Sequence, residues 1–208
     1  MTVMNKLASS LNRRDEAPNI ALAEAIVSRN EKKAVRELLQ NLKSDDKKIQ
    51  SDCIKVLYEV GARNPNLIAA HVDQFLRLLE GTNNRLIWGA MTALDALTTT
   101  EPKAITGSLR KILKASDSGS VITRDHAISI LTKLALMKQY ADRAFPLLIK
   151  QLKACPTNQL PMYAENALPV VTGKRKAPFI SVLESRLHMI QSAPKRRRVE
   201  KVLEKLKK

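Results

Sequence analysis

Side chains able to do covalent or metal chemistry are few in this sequence. It holds three histidines, two cysteines and one tryptophan in 208 residues. His71, His126 and His188, taken with Cys53 and Cys155, share no spacing that would close a zinc site. No Gly-rich phosphate loop, HExxH, GxSxG or paired His/Asp constellation is present. Six glycines in all leave little material for a nucleotide cradle. No catalytic residue, metal ligand or cofactor is therefore expected. What remains is binding chemistry. Trp88 is a single large ring of the kind that anchors interfaces. Two basic runs, Lys174-Arg175-Lys176 and Lys195-Arg196-Arg197-Arg198, can meet acidic groups.

Charge limits the partners. The net charge is +16, from 36 Lys and Arg against 20 Asp and Glu. Such a surplus favours acidic partners: nucleic acid, an anionic membrane surface or an acidic protein. Residues 174–208 hold 12 basic and 3 acidic side chains, so more than half of the excess lies in the last sixth of the chain. Apolar residues make up 44% and aromatics only 3%, which suits a core of Leu, Ile, Val and Ala. No run of eighteen apolar residues exists, so no membrane span is expected. Met1 to Leu11 lacks the apolar stretch of a signal peptide. Two cysteines make no disulfide framework, and an intracellular, cytoplasmic location is expected.

The elements that must position these residues are written in a repeat. Leu57, Leu94, Leu131, Leu168 and Leu203 are spaced 37, 37, 37 and 35 residues apart. Four residues before each stand Cys53, Ala90, Ala127, Ala164 and Val199, mostly small. Three residues after stand Val60, Leu97, Leu134, Val171 and Leu206, all aliphatic. That set marks one face of an α-helix. A preceding helix is anchored by Leu42, Leu79, Leu113, Leu152 and Ile190. Polar turns such as Ser44-Asp45-Asp46 and Gly81-Thr82-Asn83 separate the two. Pro65 and Pro102 suit the first turn of a following helix, where a missing N–H costs nothing. Stacking such hairpins buries faces that one hairpin alone cannot. The expected fold is all-α: a right-handed α-solenoid of about five two-helix repeats with terminal capping helices. Residues 17–208 are expected to form a single domain, and residues 1–16 a flexible N-terminus.

Residues 30–208 carry this pattern, and over that range the sequence resembles the HEAT/armadillo-like superfamily. Asp45 or Asp46 with Lys48, Asp117 with Arg124, and Pro146 within a first helix follow its habits loosely. In similar repeat proteins the second helices line a concave groove. By the helical wheel, the outward stripe of this chain is Ser51, Lys55 and Tyr58; Trp88, Thr92 and Asp95; Asp125, Ser129 and Thr132; then Met162, Asn166 and Pro169; and last Arg197, Lys201 and Glu204. Its first four repeats are polar and near neutral, and the basic residues fall at the edges. The resemblance thus implies a non-catalytic scaffold binding protein or peptide, of acidic character, through Ser51, Lys55, Tyr58, Trp88, Thr92, Asp125, Ser129, Met162 and Asn166. The alternative is nucleic-acid binding through Lys174, Arg175, Lys176 and Lys195 to Arg198, salt-dependent and blind to sequence. The latter run also resembles a nuclear import signal, but it opens an amphipathic helix needed as a cap. Trp88 beside Asp125 in the next repeat looks like the site of the alkylpurine DNA glycosylases that use this fold. There, aromatic rings and an Asp contact the damaged nucleotide. A second tryptophan and a basic groove are missing here.

Overall fold

In a computed structural model, which describes residues 2–207, the turns predicted from sequence set the helix ends. Asp46 accepts a bond from the Lys48 amide at 2.7 Å, and Asn83 caps Arg85 and Leu86 in the same way. Each side chain satisfies amides that the first helical turn leaves unpaired. Asn30, in the left-handed region at φ 52°, closes the first helix. Twelve α-helices result, with no strand among the described residues: α1 Ala17–Arg29, α2 Lys32–Asn41, α3 Lys47–Arg63, α4 Val72–Leu78, α5 Asn84–Leu97, α6 Pro102–Gly107, α7 Leu109–Ser118, α8 Val121–Leu136, α9 Lys138–Ala154, α10 Leu160–Ala167, α11 Lys176–Leu187 and α12 Ala193–Lys207.

The second and third repeats depart from the expected two-helix pattern. Their first helix is broken, into the 3-10 turns Pro65–Leu67 and Ala69–His71 ahead of α4, and into α6 followed by α7. Gly107 and Ser108 interrupt the latter pair, while α9 stays continuous across Pro146, which lies on its exposed side.

The small column Cys53, Ala90, Ala127, Ala164 and Val199 is fully buried. So are Leu57, Leu94 and Leu131, with Leu203 nearly so. Leu168 breaks the series: it is only half-buried. Pro169 cannot donate to the helix, so α10 ends at Ala167 and the chain tightens into a 3-10 turn, Leu168–Val170. Val170 and Val171 are buried there instead. Among the first-helix anchors, Leu42, Leu79, Leu152 and Ile190 are buried, but Leu113 is half-buried and Ile112 takes the interior place.

The packing gathers into two compact units that divide between Ala127 and Ile128, inside α8. In the first unit α3 packs on α1 and α5, with α2 behind α3 and α4 behind α5. Gly89 permits the approach of α3 and α5, since a Cβ there would stand 2.5 Å from Ile54 Cγ1. In the second unit α12 packs on α10 and α11, and α11 on α9. Part of the N-terminal segment packs on the first unit, while residues 10–16 are exposed. Val3, Leu7 and Ala8 are buried, the Ala8 amide donates to Asn19 Oδ1, and the Ser9 amide donates to Asp52 Oδ2.

Candidate ligand-binding surface

Where α3 meets α5, two aromatic rings from neighbouring repeats come together. Tyr58 and Trp88 lie 5.8 Å apart, centroid to centroid, tilted at 45°, a favourable aromatic geometry. Arg85, one turn before Trp88, lays its guanidinium 4.0 Å from the indole centroid. The ammonium of Lys55, one turn before Tyr58, sits 4.9 Å from that phenol ring. Trp88 keeps part of its surface in solvent, so its ring, backed by Tyr58, offers a fixed, half-exposed platform.

A chain of charges backs the platform. Glu16 accepts from Lys55 at 2.8 Å through one oxygen and from Arg85 at 2.9 Å through the other. Lys55 also pairs with Glu59 at 2.8 Å, Glu59 with Arg63, and Arg63 with Glu24. Lys55 is thereby buried at 6% exposure and Tyr58 at 8%. Both were expected on the open stripe. The N-terminal segment that carries Glu16 covers the one, and Trp88 covers the other. The hydrogen bond from Lys55, and then that from Arg85, hold the Glu16 carboxyl below its usual range. Burial alone would raise Glu59, but Lys55 and Arg63 outweigh it and the net shift is downward. Burial likewise opposes the charge on Lys55, and bonds from Glu16 and Glu59 overcome it, so its pKa is raised. These shifts describe one preformed ion network rather than a proton-transfer site.

Sequence reasoning missed a second constellation. Thr92 Oγ1 lies 2.9 Å from His126 Nε2, and His126 Nδ1 lies 2.9 Å from Asp95 Oδ2. Hydroxyl, imidazole and carboxylate stand in the order of a hydrolytic triad. The setting argues for structure rather than catalysis. Thr92 lies mid-way along α5, so nearby amides are committed to the helix and none is free to stabilise an oxyanion. Its hydroxyl is also 2.9 Å from the Trp88 carbonyl. The relay pins the start of α8 to α5 and fixes the backbone under Trp88. The repeat itself was the available signal: one 37-residue step back from His126 is Gly89, one turn from Thr92.

The other stripe residues are placed as follows. Ser51 is half-buried, its hydroxyl donating to the Lys47 carbonyl at 2.7 Å. Asp125 and Ser129 are half-buried on α8, while Thr132 is buried. In the second unit Met162 is half-buried and Asn166 exposed. Beside them Arg198 grips Glu165 with two bonds, at 2.8 and 2.5 Å. Much of the predicted basic patch serves the fold. Arg175 donates to the carbonyls of Ala135 and Val170 and stands over the Phe145 ring. Lys176 reaches the Leu206 carbonyl, and Arg196 caps Ile190 with two bonds. Lys174 and Arg197 are exposed and Lys195 is half-buried. Burial, helped by Asp52 and Glu37, pushes the Cys53 thiol up to about 12, so it stays protonated. Among the described residues no group of three or more His, Cys, Asp or Glu is placed to hold a metal ion, and no helix is long and apolar enough to cross a membrane.

No protein-family model matches the sequence, and no curated protein is significantly similar to it. Solved structures do resemble its fold. A designed armadillo repeat protein in complex with the peptide (KR)4 superposes with a TM-score of 0.65 at 15% identity, covering 89% of this chain and 86% of that one. A second designed armadillo repeat protein gives 0.63 at 14% identity, over 98% and 99% of the two chains. An engineered protein gives 0.60 at 19% identity, over 100% and 97%. Such likeness speaks for architecture alone, and on it the chain has the armadillo/HEAT-like helical-repeat fold.

Proposed function

We propose that the chain is a non-catalytic binding scaffold that takes a peptide segment on its second helices, with Trp88 as the central anchor. The observation that carries this reading is the half-exposed indole held rigid between Tyr58 and Arg85. A ring fixed before the ligand arrives loses little entropy on binding. The solved neighbour in complex with (KR)4 supports a peptide as the kind of ligand this architecture accepts. The hydroxyl–imidazole–carboxylate relay lacks an oxyanion site and is read as a brace. Trp88 is the only tryptophan, so its emission reports directly on the surface. Peptides selected from a random library on the wild-type protein should change that emission on titration. By calorimetry they should bind Trp88→Ala about tenfold or more weakly. Selected peptides that bind Trp88→Ala as tightly as wild type would remove the proposal.

Nucleic-acid binding through the basic tail is the second reading, favoured by the local charge excess. Of the seven cations in its two basic runs, Arg175, Lys176, Arg196 and Arg198 are committed to internal bonds. Lys174, Lys195 and Arg197 remain, so the salt slope for duplex DNA should be no steeper than about −3. A markedly steeper slope would restore this reading to first place.

A further inference from the structure

At the start of α3 the N-terminal segment folds back to leave an open cleft of about 670 Å³, apart from the aromatic platform. Five cations line it: Arg13, Arg14, Lys47, Lys48 and Arg85. Three carboxylates share the lining, and each is already engaged. Asp15 accepts two bonds from Arg13, both at 2.9 Å. Glu16 holds Lys55 and Arg85. Asp52 accepts from the Ser9 amide and from Asn19 Nδ2, both at 2.7 Å. Arg14, Lys47 and Lys48 have no side-chain partner among the described residues. The lining thus carries an excess of two positive charges, and the three cations left over are those free to turn inward.

The wall that presents them is fixed. The Arg13 amide donates to the Ala8 carbonyl at 2.8 Å across Asn12, which sits in the left-handed region at φ 54°. Ser9 also lines the cleft, its amide held by Asp52. We propose that this cleft is a binding site for a phosphate dianion, free or carried as a phosphomonoester. Its charge of between about −1.5 and −2 near neutral pH suits the local excess, and its oxygens can take up lysine and arginine donors together. Arg85 lines the cleft and also stacks on Trp88, so occupancy is coupled to the indole. The site does not depend on the peptide reading of the platform.

The test titrates the full-length chain with inorganic phosphate and, separately, with N-acetyl-phosphoserine amide, at constant ionic strength set with sodium chloride. Calorimetry and Trp88 emission are read together. The expected result is saturable binding of one equivalent. Affinity should fall at least about tenfold in the triple variant Arg14→Ser, Lys47→Ser, Lys48→Ser, with thermal unfolding showing that it still folds. It should hold in a control triple, Lys114→Ser, Lys150→Ser, Lys153→Ser, which removes the same charge from other exposed positions. The tighter of the two probes identifies the source of the phosphate. Trp88→Ala should retain the calorimetric signal, which separates this site from the peptide platform. Absence of saturable binding for both probes, or equal losses in both triples, would overturn the proposal.

Discussion

The same stripe positions behave differently in the two units. In the first, Lys55 and Tyr58 are buried beneath Glu16 and Trp88, and Lys55, Glu59, Arg63 and Arg85 are joined in one ion network. In the second, Ser129 and Thr132 at the start of the unit are half-buried and buried, but further on the same columns carry Asn166, Pro169 and Lys201 exposed to solvent, as is Arg197 in the Ser51 column. Register alone does not decide exposure. In the first unit another segment, residues 2–16, returns to cover the stripe, and aromatic rings are long enough to meet across 5.8 Å. In the second, short polar side chains and two prolines leave α10 only 8 residues long. A repeat specifies where a side chain starts from, and its neighbours specify what covers it.

The sharpest way to break this comparison is in the core column. Leu94→Ala should cost about 3 kcal/mol, because a fully buried leucine leaves a cavity as well as losing burial. Leu168→Ala, at the equivalent position in a 3-10 turn, should cost about 1 kcal/mol or less. Urea unfolding of both variants checks this. Equal losses would mean that the column runs unbroken through the second unit after all.

Next in size is the pair Lys55 and Lys201, which share a stripe position. Lys55→Ala should cost about 2 kcal/mol, since it removes the buried cation that Glu16 and Glu59 share and leaves each with one arginine, Arg85 and Arg63. The exposure of Glu16 keeps the loss below that of a fully buried pair. Lys201→Ala should change stability by no more than about 0.5 kcal/mol. If Lys55→Ala is equally silent, the network does not support the platform.

These two contrasts also mark what the sequence made legible. The 37-residue spacing located the second helices, the buried small column and the turns, because repetition multiplies a weak local signal. It placed Trp88 on the outward stripe. It did not reveal that Glu16 would reach Lys55, 39 residues on, since that contact depends on how the N-terminal segment returns. Nor did it show that Arg175 and Arg196 would spend their donors on backbone carbonyls at helix ends. Basic runs look alike in sequence whether they face a ligand or cap a helix.

Acid should separate the two regions more gently. Glu16 and Glu59 in the first unit, and Glu165 in the second, are all lowered in the folded state. The unfolded chain therefore binds more protons in acid, and stability present above the ordinary glutamate pKa of about 4.5 is lost as pH falls below it. Each network can be read by neutralising its lowered carboxyls. Glu16→Gln with Glu59→Gln should flatten the stability profile below pH about 4.5 more than Glu165→Gln does, because two lowered carboxyls are removed rather than one. Matching profiles would show that the Lys55 network adds nothing beyond a single surface pair.

The smallest effect has the opposite sign. One 37-residue step from Leu79 is Ser116, which is fully buried with its hydroxyl unpartnered among the described residues. A leucine's place in the column is thus held by a polar group that gave up water for nothing. Ser116→Ala removes that hydroxyl and fits the space, so it should stabilise the chain by about 0.5–1 kcal/mol, read as a higher urea midpoint at unchanged slope. The third repeat is where Leu113 turns half outward and Ile112 inward, and Ser116 sits at the centre of that adjustment. Ser116→Leu therefore discriminates further. If the neighbours have closed over the small side chain, overpacking should make it destabilising by about 1–3 kcal/mol while Ser116→Ala still gains. A gain from both would mean that the repeat kept the room for its missing leucine.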